Sequence, residues 1–451
     1  MKLYDGYGRE VDTGMLREEQ AAATMSGVRN SFAGMHPSAG LTPERLSQIL
    51  REAEAGDPYR YLELAEEMEE KDLHYLAVLG TRKQAVAQLE LEVEAVSSSA
   101  EDQRAAALVR ELLIDGPVQL ESALLDVLDA IGKGFSATEI IWDTAGEEWI
   151  PARLKWRDPR WFCFDWISGE EVLVRTLGGE REPARSGASR PRHLAGGDGL
   201  FATRAESGVA QPFTAPLAPY KFIVHFAKAK AGLPIRGGIA RAAGWAYLFK
   251  NYVLKDWVTF TEIFGQPLRV GKYHPGATEL DRHTLLQAVA NIGTDAAAII
   301  PESMQIEFTE ARQSGSAELY QKFCEYLDAQ VSKAVLGQTL TTEMSHAGGS
   351  RAAAQVHQAV RADILNADAR RLAATLMRDL VRPTVDLNIG PLAKYPKVKL
   401  ALPEQDDMKA FAEIVTMLAD RGLRISQKTM LNRLGIAEAG EGEAVLSKAG
   451  A

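Results

Sequence analysis

Side chains that carry catalysis or bind metals are present in this sequence, but they form no compact catalytic motif. The eight histidines are scattered, and the two cysteines, Cys163 and Cys324, are isolated from each other. The HExxH, GxGxxG, GxxxxGK[ST], GxSxG and paired CxxC patterns do not occur. His346 and His357 are separated by a loop and a helix start, so they do not form a helical ligand pair. We therefore expect no catalytic residues, no metal site and no cofactor.

Two clusters of chemically capable residues have structural explanations. Glu66, Glu67, Glu69 and Glu70 could bind a hard metal ion, but a like-charged run on a helix is more typical of a solvated face. The aromatic and basic stretch at 155–161 could stack nucleic-acid bases on a sheet. Such a mixture is more often a sheet that packs on helices, and we favour that interpretation.

The composition is that of an ordinary globular protein. The chain has 451 residues, of which 46% are hydrophobic and 25% are charged, enough for two or three cores. Its 51 Lys and Arg against 61 Asp and Glu give a formal charge of −10. Because proteins that grip DNA tightly need a basic surface, this charge argues against a tight DNA binder. No apolar run reaches the roughly 18 residues of a membrane span, so we expect a soluble cytosolic product without a signal peptide.

A long helix predicted at 240–264 must position any site. Gly237 and Gly238 allow a sharp turn into the helix, and Gly265 and Pro267 end it. At 100° per residue one face carries Trp245, Leu248, Phe249, Tyr252, Phe260 and Ile263, and the opposite face carries Tyr247, Leu254 and Val258. A helix that is apolar on both sides needs cover on both sides. It either crosses a large core or packs between copies of the same chain.

Two more long helices follow a β-rich stretch at 268–308. Ser316 caps a helix that runs to 336, and Gly337 stops it. A small, polar loop then leads into a helix from Arg351, which Pro383 should end. The predicted layout is therefore a set of long helices with smaller segments attached to them.

The rest of the chain is mixed. Residues 1–40 predict an extended arm, and 177–219, rich in Gly, Pro, Ser and Arg, predict a surface insertion. His225 is expected in the core. Predicted strands are 84–96, 140–142, 149–150, 161–166, 171–176, 220–227, 268–272, 296–300, 304–308 and 397–402. Helices at 405–419 and 426–434 have the spacing of a helix-turn-helix.

Five segments carry a family resemblance that covers the chain from about 41 to 446. They are DPRWF at 158–162, PIRGG at 234–238 leading into WAYLFK at 245–250, FGQPLR at 264–269, LGQTLT at 336–341 and NRLGI at 432–436. The chain resembles the portal proteins of Mu-like transposable phages and prophages, within the tailed-phage portal superfamily. The insertion at 178–217 looks longer than is usual in that family, so we assign it no inherited role.

The resemblance implies the tailed-phage portal fold, an α+β and mainly helical architecture with long stem helices and a small β-containing clip. The implied parts are an N-terminal arm (1–40), a wing (41–234, with the insertion 178–217), a first stem helix (235–264), a clip (265–310), a second stem helix (311–337), a tunnel loop (338–350), a long kinked helix (351–388) and a crown with the C-terminal region (389–451).

The resemblance also implies a function. Portal subunits form a ring, usually a dodecamer, at one capsid vertex, pass double-stranded DNA during packaging and ejection without reading its sequence, and connect head to tail. The implied partners are the terminase large subunit, the major capsid or scaffold proteins and head-tail adaptor proteins, with no membrane. The implied location is the virion, after assembly from host cytoplasm. The protein itself is expected to be structural and not an enzyme.

Candidate residues follow for two surfaces. A polar loop with one carboxylate suits a channel, because dense Lys or Arg would hold the phosphates. The channel candidates are Gln338, Thr339, Thr341, Thr342, Glu343, Ser345 and His346. The candidates for the interface between stems are Trp245, Phe249, Tyr252, Asp256, Trp257 and Phe260. Because a lone charge on an apolar face is costly, Arg236, Arg241 or Lys255 of an adjacent subunit is expected to pair with Asp256.

Two alternatives of other classes remain open. The first is a DNA-binding regulator that uses the helix pair at 406–434, which predicts a small oligomer with salt-sensitive DNA affinity. The second is an enzyme with a carboxylate site assembled across the fold, which predicts turnover or a bound metal.

Overall fold

The structure is a computed structural model of the chain. It describes residues 3–25, 29, 39–116, 118, 120–146, 148–176, 213–264, 269–290, 297–301, 316–339, 351–401, 415–417 and 421–422. Within these residues the architecture is α+β and mainly helical, as expected from the sequence.

The first half of the chain forms a body of helices around small antiparallel sheets. Its helices are α1 (Pro43–Glu54), α2 (Tyr59–Lys71), α3 (Leu73–Ala87), α4 (Ala100–Leu113), α5 (Leu120–Val127) and α6 (Ala130–Lys133). Its strands are β1 (Glu90–Glu94), β2 (Phe135–Ala145), β3 (Glu148–Arg157), β4 (Phe162–Phe164), β5 (Val172–Arg175), β6 (Thr214–Pro216) and β7 (Phe222–Phe226). One hydrophobic core connects these elements.

The second half supplies three long helices and three short strands. Its elements are α7 (Ala240–Phe264), β8 (Arg269–Tyr273), α8 (Glu279–Ala290), β9 (Ala297–Pro301), α9 (Ser316–Leu336), α10 (Arg351–Leu376), α11 (Arg382–Asn388) and β10 (Lys397–Ala401). The bounds of α7 and α9 are those predicted from their caps and stops. Strand β8 pairs in parallel with β9 across α8, which is the connection that parallel strands require. Strand β10 pairs with β1 of the first half.

The sheet of strand order β3-β2-β7, here called the central sheet, lies at the middle of the body. Both pairs are antiparallel, and the β2–β3 register shifts between Ile141 and Trp142, so that Ala152 has no partner residue. Phe135, Ile140 and Trp142 of β2 are buried. Strands β4, β5 and β6 form a second small sheet, in which the predicted 161–166 and 171–176 hairpin is confirmed.

The N-terminal residues lie against the body of their own chain rather than extending from it as a free arm. Leu16 and Ala21 are buried. Glu139 of β2 accepts backbone N–H groups from Gln20 (2.5 Å) and Ala21 (3.1 Å). Backbone N–H groups make the two hydrogen bonds to Glu139, so the pattern of apolar residues in the first 25 positions could not predict them.

Two sequence predictions were wrong in detail. The strand predicted at 84–96 is only Glu90–Glu94, because α3 continues to Ala87 and buries Val86. The third long helix does not end at Pro383. A π-turn over Met377–Val381 precedes α11, in which Pro383 occupies the first turn. Because Pro383 has no N–H, the carbonyl four residues before it lacks its helical donor, and the π-turn lies at this position.

Candidate assembly and channel surfaces

The first half of α7 is held inside the body. Ala240, Ala243, Tyr247 and Leu248 are buried. Gly244 brings the helix close to α1 and α2, since a Cβ there would lie 3.7 Å from Leu46 Cδ1 and 3.8 Å from Met68 Sδ. The second half of α7 projects beyond this cover, and most of its residues are exposed or half-buried.

The projecting half of α7 packs against α9 as an antiparallel hairpin. The Tyr320 ring stacks on Trp257 at a centroid distance of 6.3 Å and meets Phe260 at 5.8 Å. At the other end, Lys250 Nζ lies 2.6 Å from Asp328 of α9 and 3.0 Å from Asp72, the N-cap of α3. Aromatic packing and a shared cation therefore fix the hairpin at both ends.

One side of this hairpin presents exposed aromatic and aliphatic side chains from both helices. Helical periodicity places Phe249 and Tyr252 on the same side of the hairpin as three residues of α9. We call this side the aromatic face; its members are Phe249 (39% exposed), Tyr252 (40%), Leu319 (67%), Phe323 (40%) and Tyr326 (57%). Phe323 and Tyr326 stack at 6.4 Å, which keeps the face in one arrangement.

The opposite side of the hairpin is also apolar, but its residues differ. Leu254 is 40% exposed and Val258 is 57% exposed, and helical periodicity turns both away from the aromatic face. We call these two residues the aliphatic face. Among the described residues, the hairpin therefore carries two distinct apolar surfaces that are partly exposed, an arrangement that favours protein contacts on both sides.

The structure separates the predicted interface residues into two groups. Phe249 and Tyr252 lie on the aromatic face, and Trp245 is half-buried. Trp257 and Phe260 instead pack on Tyr320 of their own chain and are half-buried there, so their place in contacts between subunits stays a prediction. Sequence reasoning missed the contribution of α9, although Leu319, Phe323 and Tyr326 recur at the i, i+4, i+7 spacing of one helix face.

The pairing of Asp256 with a cation of an adjacent subunit stays a prediction, and its three candidate partners differ in their contacts within the chain. Asp256 is exposed in the single chain, so its charge there is solvated. Arg241 pairs with Glu54 and donates to the Leu50 carbonyl at 3.1 Å, and Arg236 lies 3.3 Å from the same glutamate. Both arginines thus anchor the start of α7 to α1. Lys255 is exposed beside Asp256 and, among the described residues, enters no ion pair.

The predicted channel loop begins at the end of α9. Gly337 has a φ of +70°, and a Cβ there would lie 2.9 Å from Val360 and 3.0 Å from Ile364, so glycine is required for this close turn. Gln338 is buried in the single chain, and its place in a channel lining stays a prediction. Thr339 is half-buried. Thr341, Thr342, Glu343, Ser345 and His346 lie outside the described residues.

Arg82 of α3 fixes the end of α9, which precedes this loop. Its guanidinium bonds both carboxylate oxygens of Asp368 on α10, at 2.7 and 3.2 Å, and donates to the Val335 carbonyl of α9 at 2.7 Å. The several N–H donors of one guanidinium can bond a carbonyl at the end of a helix and a carboxylate at the same time. The end of α9 and the middle of α10 are therefore held against the body.

The acidic run on α2 is not a solvated face throughout. Lys133, which is fully buried, pairs with Glu66 and lies 2.6 Å from Asp129. Lys83 lies 2.8 Å from Glu69 and 2.9 Å from Asp129. Burial alone would lower the pKa of Lys133, but Asp129 and the glutamates raise it, so the ammonium stays charged. These pairs join α2, α3 and α6 inside the core.

The aromatic and basic stretch at 155–161 is a packed sheet edge, as favoured. Arg157 bonds Glu139 at 2.8 Å and Glu19 at 2.6 Å, and Lys155 also pairs with Glu19. Trp161 is buried. These cations are already neutralised by carboxylates and offer little to a phosphate backbone.

The described residues lack two further features. They contain no cluster of three or more His, Cys, Asp or Glu side chains placed to hold a metal ion. None of their helices has the length and hydropathy of a membrane span.

Comparison with known sequences gives one family and close relatives. Residues 62–436 match the family described as the portal protein of Mu bacteriophage. The chain is 36% identical over 419 residues to the Mu-like prophage FluMu protein gp29 of Haemophilus influenzae, covering 92% of this chain and 74% of that protein. It is 34% identical over 416 residues to the portal protein of Escherichia phage Mu, covering 91% of this chain and 74% of that protein.

Comparison with solved structures gives distant similarity to components of gene transfer agent particles. A chain from the neck of the native particle, computed with C12 symmetry, has a TM-score of 0.39 at 13% identity, with 89% of this chain and 96% of that chain covered. A chain from the neck of the empty particle, computed with C6 symmetry, has a TM-score of 0.42 at 11% identity, with 88% and 95% covered.

Proposed function

Because the chain belongs to the family of Mu bacteriophage portal proteins, we propose that its copies close into a ring through which double-stranded DNA enters and leaves the capsid. In this proposal the body at 41–234 is the wing, α7 and α9 are the stem, β8 to β9 is part of the clip, and the 338–350 loop faces the channel. The ring has twelve copies, as is usual for portals.

The observation that carries the ring is the pair of different apolar faces on the α7–α9 hairpin. If the aromatic face of one copy packs on the aliphatic face of the next, the joined pair still offers one free aromatic face and one free aliphatic face. A contact between unlike surfaces propagates until the rotation closes it into a ring. A two-fold dimer would instead use one face twice and leave the other exposed.

The DNA conduit is supported by charge and by the loop's attachment. A chain with a formal charge of −10 does not grip phosphates over its whole surface. The sequence of the loop from Thr339 is polar, with one carboxylate, so its contacts with DNA would be shallow and independent of base sequence. Arg82 holds the end of the preceding helix at a fixed place.

The partners follow from the same assignment. The terminase large subunit, which supplies ATP hydrolysis, docks on the ring during packaging, and head-tail adaptors replace it afterwards. Major capsid or scaffold proteins surround the wing. The protein is present in host cytoplasm before assembly and in the virion afterwards, and its role is structural, without turnover of its own.

The competing regulator hypothesis rests on the helix pair at 406–434, most of which lies outside the described residues. It predicts a small oligomer with tight, salt-sensitive DNA binding. No contact among the described residues favours it.

The test uses two charge substitutions, one on each face: Tyr326→Asp and Val258→Asp. Each side chain is 57% exposed in the single chain, so the fold should tolerate the change. A carboxylate buried in an apolar contact is costly, and a tenfold weakening corresponds to about 1.4 kcal/mol. We expect each variant alone to raise the concentration for half-assembly at least about tenfold, measured by native mass spectrometry and negative-stain imaging. Glu325→Gln, on the charged side of α9, is the matched control and should assemble normally.

Mixing the two variants distinguishes a ring from a dimer. Tyr326→Asp keeps an intact aliphatic face and Val258→Asp keeps an intact aromatic face, so an equimolar mixture should give one-to-one dimers that cannot grow. Loss of assembly in only one variant would indicate a two-fold contact and would contradict the ring. Normal rings from both variants would show that the hairpin faces take no part in assembly.

The same assay tests the pairing of Asp256. With Arg236 and Arg241 engaged by Glu54, the remaining candidate is Lys255 of the adjacent subunit. Asp256→Ala and Lys255→Ala should weaken assembly equally, and the double variant no further. Unchanged assembly and melting temperature in Asp256→Ala would show that the pair does not form.

A further inference from the structure

Both outer strands of the central sheet are met by side chains from one helical segment, the π-turn and α11 at 377–388. Strands β3 and β7 are the two edges of this sheet. An edge strand exposes backbone N–H and C=O groups that can pair with another chain. Whether the outward N–H and C=O groups of these edge strands are already hydrogen-bonded therefore decides whether another strand can extend the sheet.

On β3 the amide of Asn388 stands where a neighbouring strand would be. Its Oδ1 accepts the Trp149 N–H at 2.7 Å, and its Nδ2 donates to the Trp149 carbonyl at 2.9 Å. Within a strand, the N–H and C=O of one residue point to the same side. One amide side chain thus satisfies both outward groups of Trp149, as the backbone of a pairing strand would.

On β7, an arginine and an aspartate together satisfy the outward N–H and C=O groups of Val224. Asp379 Oδ2 accepts the Val224 N–H at 2.9 Å, and Arg378 Nη2 donates to the Val224 carbonyl at 2.6 Å. Arg378 and Asp379 also bond each other, at 2.6 and 2.7 Å, so the two form one planar unit. Both outward groups of Val224 are occupied.

The length of the helix matches the width of the sheet. The nine residue-to-residue steps from Asp379 to Asn388 rise about 14 Å at 1.5 Å each. Three strands spaced about 4.8 Å apart span roughly 10 Å between the outer two. A single helical segment can therefore reach both edges. Pro151 assists on β3, because it lies two residues from Trp149 on the same outward side and has no N–H to offer.

We infer that Asn388 and the Arg378–Asp379 unit close the central sheet against pairing with the sheet of another copy. The occupant excluded is a second copy of this chain, joined strand to strand. Such pairing would be unrelated to the contact between hairpins and would lead to open-ended association. The inference concerns one chain's own contacts and is independent of the proposed ring.

The experiment uses the full chain carrying Tyr326→Asp, with and without Asn388→Ala. Hydrogen exchange should become at least about tenfold faster at the Trp149 amide in the Asn388→Ala protein, while buried amides of β2 keep their protection. Sedimentation velocity over a concentration series should show association that grows with concentration and is absent from the Tyr326→Asp parent. Arg378→Leu should produce the corresponding effect through β7.

A rescue variant separates edge pairing from unfolding. Ala152→Lys, added to Asn388→Ala, places a charge beside the opened edge of β3, where it should block strand pairing. The association should disappear while the Trp149 amide still exchanges quickly. An unchanged Trp149 exchange rate in Asn388→Ala, or fast exchange without added association, would overturn the inference. The Trp149 exchange rates are compared within one background, so failure of the hairpin proposal would not alter them. If the Tyr326→Asp parent itself associates, the readout is the increase in association that Asn388→Ala adds and Ala152→Lys removes.

Discussion

At the scale of single residues, specific partners from distant parts of the sequence satisfy several buried polar groups. Tyr220 has a left-handed φ of 62°, unusual for a non-glycine residue, and its hydroxyl donates to Asp386 at 2.5 Å. Asp386 also accepts the Tyr395 hydroxyl at 2.6 Å. Contacts of this kind tie β7, α11 and the segment before β10 together. Their partners lie far apart in the sequence, so spacing alone could not have identified them.

His225 should make the free protein sensitive to mild acid. It is buried on β7, with Nδ1 2.9 Å from the Thr375 hydroxyl, and burial lowers its pKa to about 4, while Asp368 opposes and Arg378 and Arg371 assist that shift. The unfolded chain takes up a proton near pH 6.5, whereas the folded chain does not, so stability falls as pH drops from about 6.5 to 4. We expect this group to remove about 2 kcal/mol between pH 7.5 and 5.

Urea unfolding at the two pH values measures this effect. His225→Gln keeps a partner for Thr375 but cannot be protonated, so its stability should fall less over the same interval. His283→Gln, on exposed surface of α8, is the matched control and should behave as the parent does. Equal losses in His225→Gln and the parent would contradict a neutral buried imidazole.

At the scale of elements, the hairpin depends on one cation as well as on aromatic packing. Lys250 joins α7 to Asp328 of α9 and to Asp72, which caps α3. Burial lowers the pKa of Lys250, but the two carboxylates raise it overall, so the group stays charged to alkaline pH. Its stabilising effect is therefore complete at neutral pH and is lost only as pH rises through this raised pKa.

Replacing Lys250 with Met should loosen the hairpin. The change leaves Asp72 and Asp328 without their shared partner, and we expect a loss of about 2 kcal/mol, reduced from the fully buried case because the pair is partly solvated. Thermal unfolding gives the global effect, and hydrogen exchange in α7 and α9 gives the local one. Lys255 lies five residues further along α7 and is exposed to solvent. As the matched control, Lys255→Met should change the free energy of unfolding by less than about 0.5 kcal/mol. Similar small losses in both would show that Lys250 contributes no more than a surface charge.

At the scale of the whole molecule, assembly brings together copies that each carry a formal charge of −10. Like charges repel, and salt screens them over about 10 Å at 0.1 M and about 3 Å at 1 M. The hairpin faces are apolar, so their attraction does not depend on screening. Salt should therefore favour the ring.

Raising NaCl from 50 to 500 mM should lower the concentration for half-assembly several-fold, which analytical ultracentrifugation can measure. Binding of short duplex DNA, followed in parallel, should be weak and should decrease with salt. Assembly that weakens with salt would mean that ion pairs, and not the apolar faces, hold the copies together.

The family and the long helices were determined by the sequence alone. The bounds of α7 and α9 follow from glycines, a serine cap and apolar periodicity, which are local signals. The family follows from short segments dispersed along the chain, and sequence relatives confirm it. The apolar character of both sides of α7 was also visible, because periodicity records which residues share a face.

Only the tertiary structure decided which of those residues remain uncovered. Trp257 and Phe260 meet Tyr320 of their own chain, whereas Leu254, Val258 and three residues of α9 stay exposed. The acidic run pairs with buried lysines, Gln338 is buried, and the 377–388 segment satisfies one residue on each edge strand of the central sheet. Each of these outcomes depends on which element approaches a side chain from elsewhere in the fold. Periodicity reports that a face is apolar, but exposure is a property of the neighbours that cover it.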